Sequence, residues 1–213
     1  MTINPIIVQA ASSGGGPDLT GLVDRSATNL DLSGLGDTGS IGDYAFRDFY
    51  SLTSLTLPAG MTGSIGTSAF QSCNSLTSLT LPAGMTGGIS QYAFQSCSSL
   101  ASLTLPAGMT GSIGNNAFNG CFSLTTLDVP AGITSIGTTS SSARVFYNCT
   151  ALEYIILRRT SVVTLGHVSS FQGGFEDPTC LFSVPADLVD AYKAANNWST
   201  LADRIFAIPE ELL

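Results

Sequence analysis

Three consecutive stretches of the chain are near copies of one another. Ser51–Asn74 reads SLTSLTLPAGMTGSIGTSAFQSCN, Ser75–Ser98 reads SLTSLTLPAGMTGGISQYAFQSCS, and Ser99–Phe122 reads SLASLTLPAGMTGSIGNNAFNGCF. The period is 24, and it keeps Leu55, Leu79 and Leu103 in register, as it does Phe70, Phe94 and Phe118. Self-similarity at a fixed period of this length signals a stack of structural units rather than an ordinary globular fold. A fourth copy starts at Ser123, loses one residue after Thr134 and gains five around Ser140–Arg144 before resuming at Val145. A degenerate fifth begins at Ala151 with ALEYIIL, and an earlier one shows in Thr38–Phe46 with Leu30 and Leu32 ahead of it. The chain therefore holds about six rungs.

Within a rung the apolar positions are Leu52, Leu55, Leu57, Met61, Ile65, Ala69, Phe70 and Cys73. Leu55 and Leu57 alternate with Ser54 and Thr56, the period of a strand. Pro58 ends the strand by removing a ladder donor, Ala59-Gly60 turns the chain, and Ile65-Gly66 is a second short extended piece. Ser68–Ser72 is expected to form one helical or 3₁₀ turn that drops Phe70 inward. So few apolar side chains cannot offset the ordering of 24 backbones, so a rung folds only against its neighbours. The expected fold is an α/β solenoid, a right-handed stack whose strands form a parallel sheet with about 4.8 Å between rungs.

Composition narrows what such a stack can do. Acids outnumber bases 15 to 7, for a net charge of −8, and only 10% of residues are charged. A nucleic-acid partner is not expected, because phosphate recognition needs a basic stripe, and a polybasic membrane anchor is not expected either. No apolar run approaches the ~20 residues that span a bilayer, so membrane insertion is not expected. Met1–Ala10 has no basic start and no long apolar run, so no secretory signal peptide is read there. Ile3, Ile6, Ile7 and Val8 make that segment a capping strand or a tether, and Ser12–Pro17 reads as a flexible hinge.

The pattern LxxLxLP followed by IGxxAFxxCxxL resembles the BspA-like leucine-rich repeat, over roughly Leu30–Phe171. That family's rung runs P-x-x-V-T-x-I-G, as in Pro130–Gly137; the three central rungs add a glycine at Gly63, Gly87 and Gly111, read here as a stacked bulge. The tail Ser183–Ile208 is similar to the closing segment of such chains. The tail also makes sense by itself. Pro185 suits the first position of a helix, and Leu188, Val189, Tyr192 and Ala195 form an apolar stripe, followed by Trp198, Leu201 and Ile205. It is expected to be a helical lid on the last rung, with Trp198 as its core anchor. The organisation is then residues 1–17 as N-terminal segment and hinge, 18–175 as solenoid and 176–213 as cap.

Groups for chemistry are sparse. His167 is the one histidine, and the sequence places no obvious acid or thiol at catalytic spacing from it. Cys73, Cys97, Cys121 and Cys149 recur at one slot, with Cys180 separate; five is odd, so a full disulfide set is impossible. Phe49 holds the same slot one rung earlier, which makes it a packing position rather than a metal site. Asp31, Asp37, Asp43 and Asp48 do not match a calcium-loop spacing and read as a solvated rim. No P-loop, nucleophile elbow or zinc-protease motif is present, so no catalytic residue, cofactor or metal is expected.

The outward residues of the strands are more informative. They pair as Ser54 with Thr56, Ser78 with Thr80, Ser102 with Thr104, Thr126 with Asp128, and Tyr154 with Ile156. Ser51–Leu127 contains no charged residue, so the face is a neutral carpet of hydroxyls that gives way to Asp128, Tyr154, Ile156, Arg158 and Arg159. Aromatic and Arg side chains are enriched at binding hot spots; the other reading of this end is a seat for the C-terminal lid. The resemblance implies adhesion, the binding of a host protein or glycan at a cell surface. The alternative is a structural part of a phage-type particle, a tail or fibre on the virion, docked by the N-terminal segment, with self-association favoured by the neutral face. The Ser/Thr rows also resemble water-ordering hydroxyl arrays, but they run Ser-x-Thr, and horseshoe curvature spoils the flatness that ice binding needs.

Overall fold

The computed structural model describes residues 25–34, 39–167 and 180–209. The N-terminal segment 1–17, its proposed docking role, Asp37 and Phe171 lie outside the described residues. The strands are β1 (Asn29–Asp31), β2 (Ser54–Thr56), β3 (Ser78–Thr80), β4 (Ser102–Thr104), β5 (Thr110–Ile113), β6 (Thr126–Val129), β7 (Gly132–Ile136), β8 (Tyr154–Leu157), β9 (Thr164–Leu165), β10 (Leu181–Val184) and β11 (Ile205–Ala207). Every pairing among them is parallel. The chain is a β-solenoid of about seven turns, slightly more than the repeat count implied.

Each turn contributes to two faces. On the front, β1 pairs with β2, β3 with β4, and β6, β8, β10 and β11 form one four-stranded sheet. On the rear, single bridges join Ile41, Ile65, Ile89 and Ile113, and β5, β7 and β9 continue that column. The eight apolar slots of the rung beginning at Ser51 are all buried, and their counterparts in the next rungs stack on them as one continuous core. Phe46, Phe70, Phe94, Phe118 and Phe146 form a column of nearly coplanar rings with centroids 5.1–5.4 Å apart. That spacing is close to a strand separation, so side-chain and backbone ladders share one repeat distance.

The segment from Ser68 to Ser72 is not a helical turn. The N–H groups of Ser68, Phe70 and Ser72 donate to the carbonyls of Gln91, Ala93 and Gln95 in the next rung, at 3.0, 2.7 and 2.8 Å. Between them, Ala69, Gln71 and Cys73 donate back within their own rung to Gly66, Ser68 and Phe70. A helix would aim every N–H along its own axis and leave none for the neighbour. The alternation requires left-handed backbone at Ser68 (φ 54°) and Ser72 (φ 64°), which costs roughly 1 kcal/mol or more each. Inter-rung bonding offsets that strain, as it does at the equivalent Tyr92, Ser96, Asn116 and Asn148.

The extra glycines do stack as a bulge. Gly63 N–H donates to Gly39 and Gly87 N–H to Gly63, each at 3.0 Å. A Cβ on Gly87 would lie 2.6 Å from Ser64 Cα, so only glycine allows this approach. Where the fourth copy lacks the residue, the register between β5 and β7 shifts, between Gly111 and Ser112.

The cap is less helical than expected. Among the described residues its one α-helix, α1 (Val189–Ala194), has six residues and is flanked by 3₁₀ turns at Ala186–Leu188 and Ser199–Arg204. Residues on both sides of it return to the front sheet as β10 and β11, so Ile205 belongs to a strand and not to a helical stripe. The lid function stands. Trp198 and Tyr192 are fully buried, and their rings meet edge to face at 5.3 Å. Val163 N–H donates to the Tyr192 hydroxyl at 2.9 Å, and Trp198 Nε1–H donates to the Val163 carbonyl at 2.7 Å. Asn197 Nδ2 donates to the Leu165 and Gly166 carbonyls, both at 2.9 Å. The lid thus hands the last rear strand the hydrogen bonds that another rung would have made.

Two substitutions test this. Trp198→Ala is expected to cost about 3–5 kcal/mol in urea unfolding, from a large cavity plus a lost donor. Tyr192→Phe keeps the packing and is expected to cost about 1–3 kcal/mol, because the Val163 amide is left buried without its acceptor.

Candidate binding face

Strand alternation sets the front face. In β2, β3 and β4 the middle leucine is buried and both neighbours are exposed. Ser54, Ser78, Ser102 and Thr126 thus form one exposed row, and Thr56, Thr80, Thr104 and Asp128 a second. Register carries the first row on to Tyr154 and Leu181, and the second to Ile156, Ser183 and Phe206. Tyr154 is 43% exposed.

Ile156 departs from the expectation. It lies on the outward row yet is only 6% exposed, and its neighbour Ser183 is equally buried. Ile156 is therefore covered on the outward row and does not present the exposed side chain expected of it. Arg158 is committed to Asp128: its Nε donates to both carboxylate oxygens at 3.0 and 3.2 Å, and its Nη2 donates at 2.9 Å. The pair raises the Arg158 pKa further. Arg159 donates to Ser161 Oγ at 2.7 Å and to the Ala131 carbonyl at 3.2 Å. Both guanidinium groups are half-buried and positioned by the solenoid, so they present fixed donors rather than mobile charges.

Phe206, 49% exposed on β11, was missed in the sequence because the tail was read with a helical period. Strand alternation across Ile205-Phe206-Ala207 would have found it.

The front sheet is not laddered throughout. No ladder joins β2 to β3 or β4 to β6, although β2 pairs with β1 and β3 with β4. A cleft of about 720 Å³ runs between β2 and β3, and it brings together four of the expected contact residues, Ser54, Thr56, Ser78 and Thr80.

The cysteine slot does more than pack. Cys73, Cys97, Cys121 and Cys149 donate their thiols to the carbonyls of Phe46, Phe70, Phe94 and Phe118 one rung back, at 3.0–3.2 Å. Phe49 can hold the same slot, but it brings no donor. All five thiols are free and buried. Burial pushes the Cys97 and Cys121 thiols well up, and pushes Cys180 up to about 12. Such thiols are poor nucleophiles and poor metal ligands. Among the described residues, no group of three or more His, Cys, Asp or Glu could hold a metal ion. Asp43 instead accepts from Thr67 N–H at 2.6 Å, and Asp48 faces Arg25 and Arg47. His167 is half-buried just after β9, on the rear of the solenoid.

Cys97, Cys121 and Cys180 give a signed pH dependence. Their folded values are raised, so above about pH 8.5 unfolding releases protons that the folded chain retains. Stability against urea is expected to hold below about pH 8.5 and to fall as pH rises toward about 12. The native thiols are also expected to resist iodoacetamide at neutral pH and to react once urea unfolds the chain. Rapid alkylation of the folded chain would contradict this burial.

Comparison with known proteins places this geometry. The model of the BspA type leucine rich repeat region matches residues 26–153 in six copies. The leucine rich repeat protein of T. pallidum superposes with a TM-score of 0.54 at 22% identity, covering 84% of this chain and 83% of that one. A leucine-rich repeat protein from Bacteroides ovatus aligns with a TM-score of 0.49 at 19% identity, over 72% of this chain; the present chain spans 48% of its length. A search of curated proteins gives no match. No helix among the described residues is long and apolar enough to cross a membrane. With its family model matched over more than half its length, the chain belongs to the BspA-type leucine-rich repeat family.

Proposed function

We propose that the chain is a non-catalytic binding module that recognises an uncharged patch of protein or glycan through its front face, in an adhesive role at a cell surface. One observation carries this reading. An exposed row of four hydroxyl side chains, Ser54 to Thr126, and a second of three, Thr56 to Thr104, run with no charge between Ser51 and Leu127, and the first ends beside the exposed Tyr154. Hydroxyls carried on strands can hydrogen-bond a partner without the desolvation cost of a charge. An aromatic at the edge supplies the apolar contact area typical of hot spots. Family membership supports a repeat surface used for binding, and a surface location accords with the BspA-type resemblance.

The test is binding of the purified chain to arrays of glycans and extracellular host proteins, followed by a salt series on any ligand found. A neutral contact is expected to change affinity by less than about threefold between about 0.05 and 0.5 M salt, because little charge is there to screen. Tyr154→Ala is expected to weaken protein ligands by about 1–3 kcal/mol. A chain that binds nothing on either array, or binds only through salt-sensitive charge, defeats this reading.

A further inference from the structure

The cleft between β2 and β3 is unusual because nothing local in the sequence sets it apart. Both strands read Ser-Leu-Thr, and both are followed by Leu-Pro-Ala-Gly. Leu30 pairs with Leu55, and Leu79 pairs with Leu103, yet no ladder register joins β2 to β3. The same two rungs are closed on their other sides. Ile65 bridges to Ile89, Phe70 and Phe94 stack at 5.1 Å, and Gln71 Nε2 donates to Gln95 Oε1 at 2.7 Å. The opening is therefore a wedge, confined to the front.

We infer that this wedge is a subsite for a neutral sugar unit of an oligosaccharide. Its banks carry the hydroxyls of Ser54 and Thr56 on one side and Ser78 and Thr80 on the other, with Leu57 and Leu81 supplying apolar surface. The facing edges of β2 and β3 add backbone donors and acceptors that make no ladder bond with each other. A pyranose matches this set: its rim alternates donor and acceptor hydroxyls, and its C–H faces are apolar. The volume of about 720 Å³ lies within the range of roughly 300–1,000 Å³ usual for small-ligand sites. Charge sets the class. No acid or base occurs from Ser51 to Leu127, and the chain as a whole carries −8, so sulfated or sialylated sugars have no cationic partner in the wedge and meet a repulsive field. The rear Ile, Phe and Gln contacts hold the two rungs at a single strand spacing, so the sugar lies along the open front of the cleft rather than between the rungs.

The inference rests on the front face being the binding surface, and the experiment separates the two. The intact chain is titrated calorimetrically with maltotriose, cellotriose and triacetylchitotriose, with sialyllactose as the acidic probe and an uncharged Thr-Val repeat peptide as the polypeptide probe. At least one neutral trisaccharide is expected to bind, and sialyllactose and the peptide are not. Thr56→Val with Thr80→Val removes two cleft hydroxyls at nearly constant shape and is expected to weaken the sugar about tenfold or more. Thr139→Val with Ser141→Ala, exposed in the loop after rear strand β7 and away from the front face, is expected to change nothing. Thermal melting checks that both variants fold, and Ser54→Ala with Ser78→Ala replaces the first if it does not. Failure of all three neutral sugars overturns the inference, as does binding of the peptide in their place or equal loss in both pairs of variants. A ligand from the arrays that binds independently of Thr56 and Thr80 overturns the subsite and leaves the binding-module reading intact. Absence of any ligand on the arrays and in the titration removes both.

Discussion

Every feature of this chain depends on one distance, the separation of neighbouring rungs. Parallel strands set it near 4.8 Å, and the structure imposes it on groups of very different chemistry. Phenylalanine rings stack at it, and glutamine amides bond across it. Cysteine thiols reach across it to the carbonyls of the rung before. Threonine hydroxyls do so too, from Thr86 to Thr62 and from Thr110 to Thr86. A side chain that fits this spacing once fits it in every rung, which is why near-identical copies are tolerated here. A rung without a neighbour has no partner for alternate N–H groups, and the strained residues at Ser68 and Ser72 have nothing to hold them.

The same constraint explains the division of labour around the solenoid. Turn backbones alternate bonds between rungs with bonds inside one rung, so they offer a partner little. The front strands use their backbones for pairing and their leucines for the core, which leaves Ser and Thr side chains free to face outward. At the C-terminal end, the cap substitutes for the missing rung through Tyr192, Asn197 and Trp198. Two further strands lengthen the front sheet, so the front face continues past the last clear repeat to Phe206.

Much of this was legible in the residues. The period, the buried slots, the bulged glycines and the outward rows all follow from patterns repeated in register. Trp198 as an anchor followed from its place after an apolar stripe. Other features were hidden for definite reasons. The turn at Ser68–Ser72 looks helical because its polar and apolar positions are consistent with one, and only the inter-rung bonds show otherwise. Ile156 is outward by alternation but buried by what packs at that end, and alternation carries no information about the latter. The cysteines pass for packing because Phe49 shares their slot, and their donor role is seen only with the carbonyl one rung back. The wedge was unreadable in principle, since β2 and β3 have the same sequence and only the stacked geometry separates them.

The most direct measurement is residue-resolved amide hydrogen exchange on the intact chain. Amides bonded to the next rung, such as Phe70, Ser72 and Phe94, should exchange only through global unfolding. Amides of Leu79 and Thr80, on the strand between the wedge and β4, should divide: those bonded within β3–β4 protected, and those turned toward β2 exchanging fast. Uniform strong protection across β2, β3 and β4 would mean a continuous front ladder, and would contradict the account of a solenoid clamped at the rear and parted between β2 and β3 at the front.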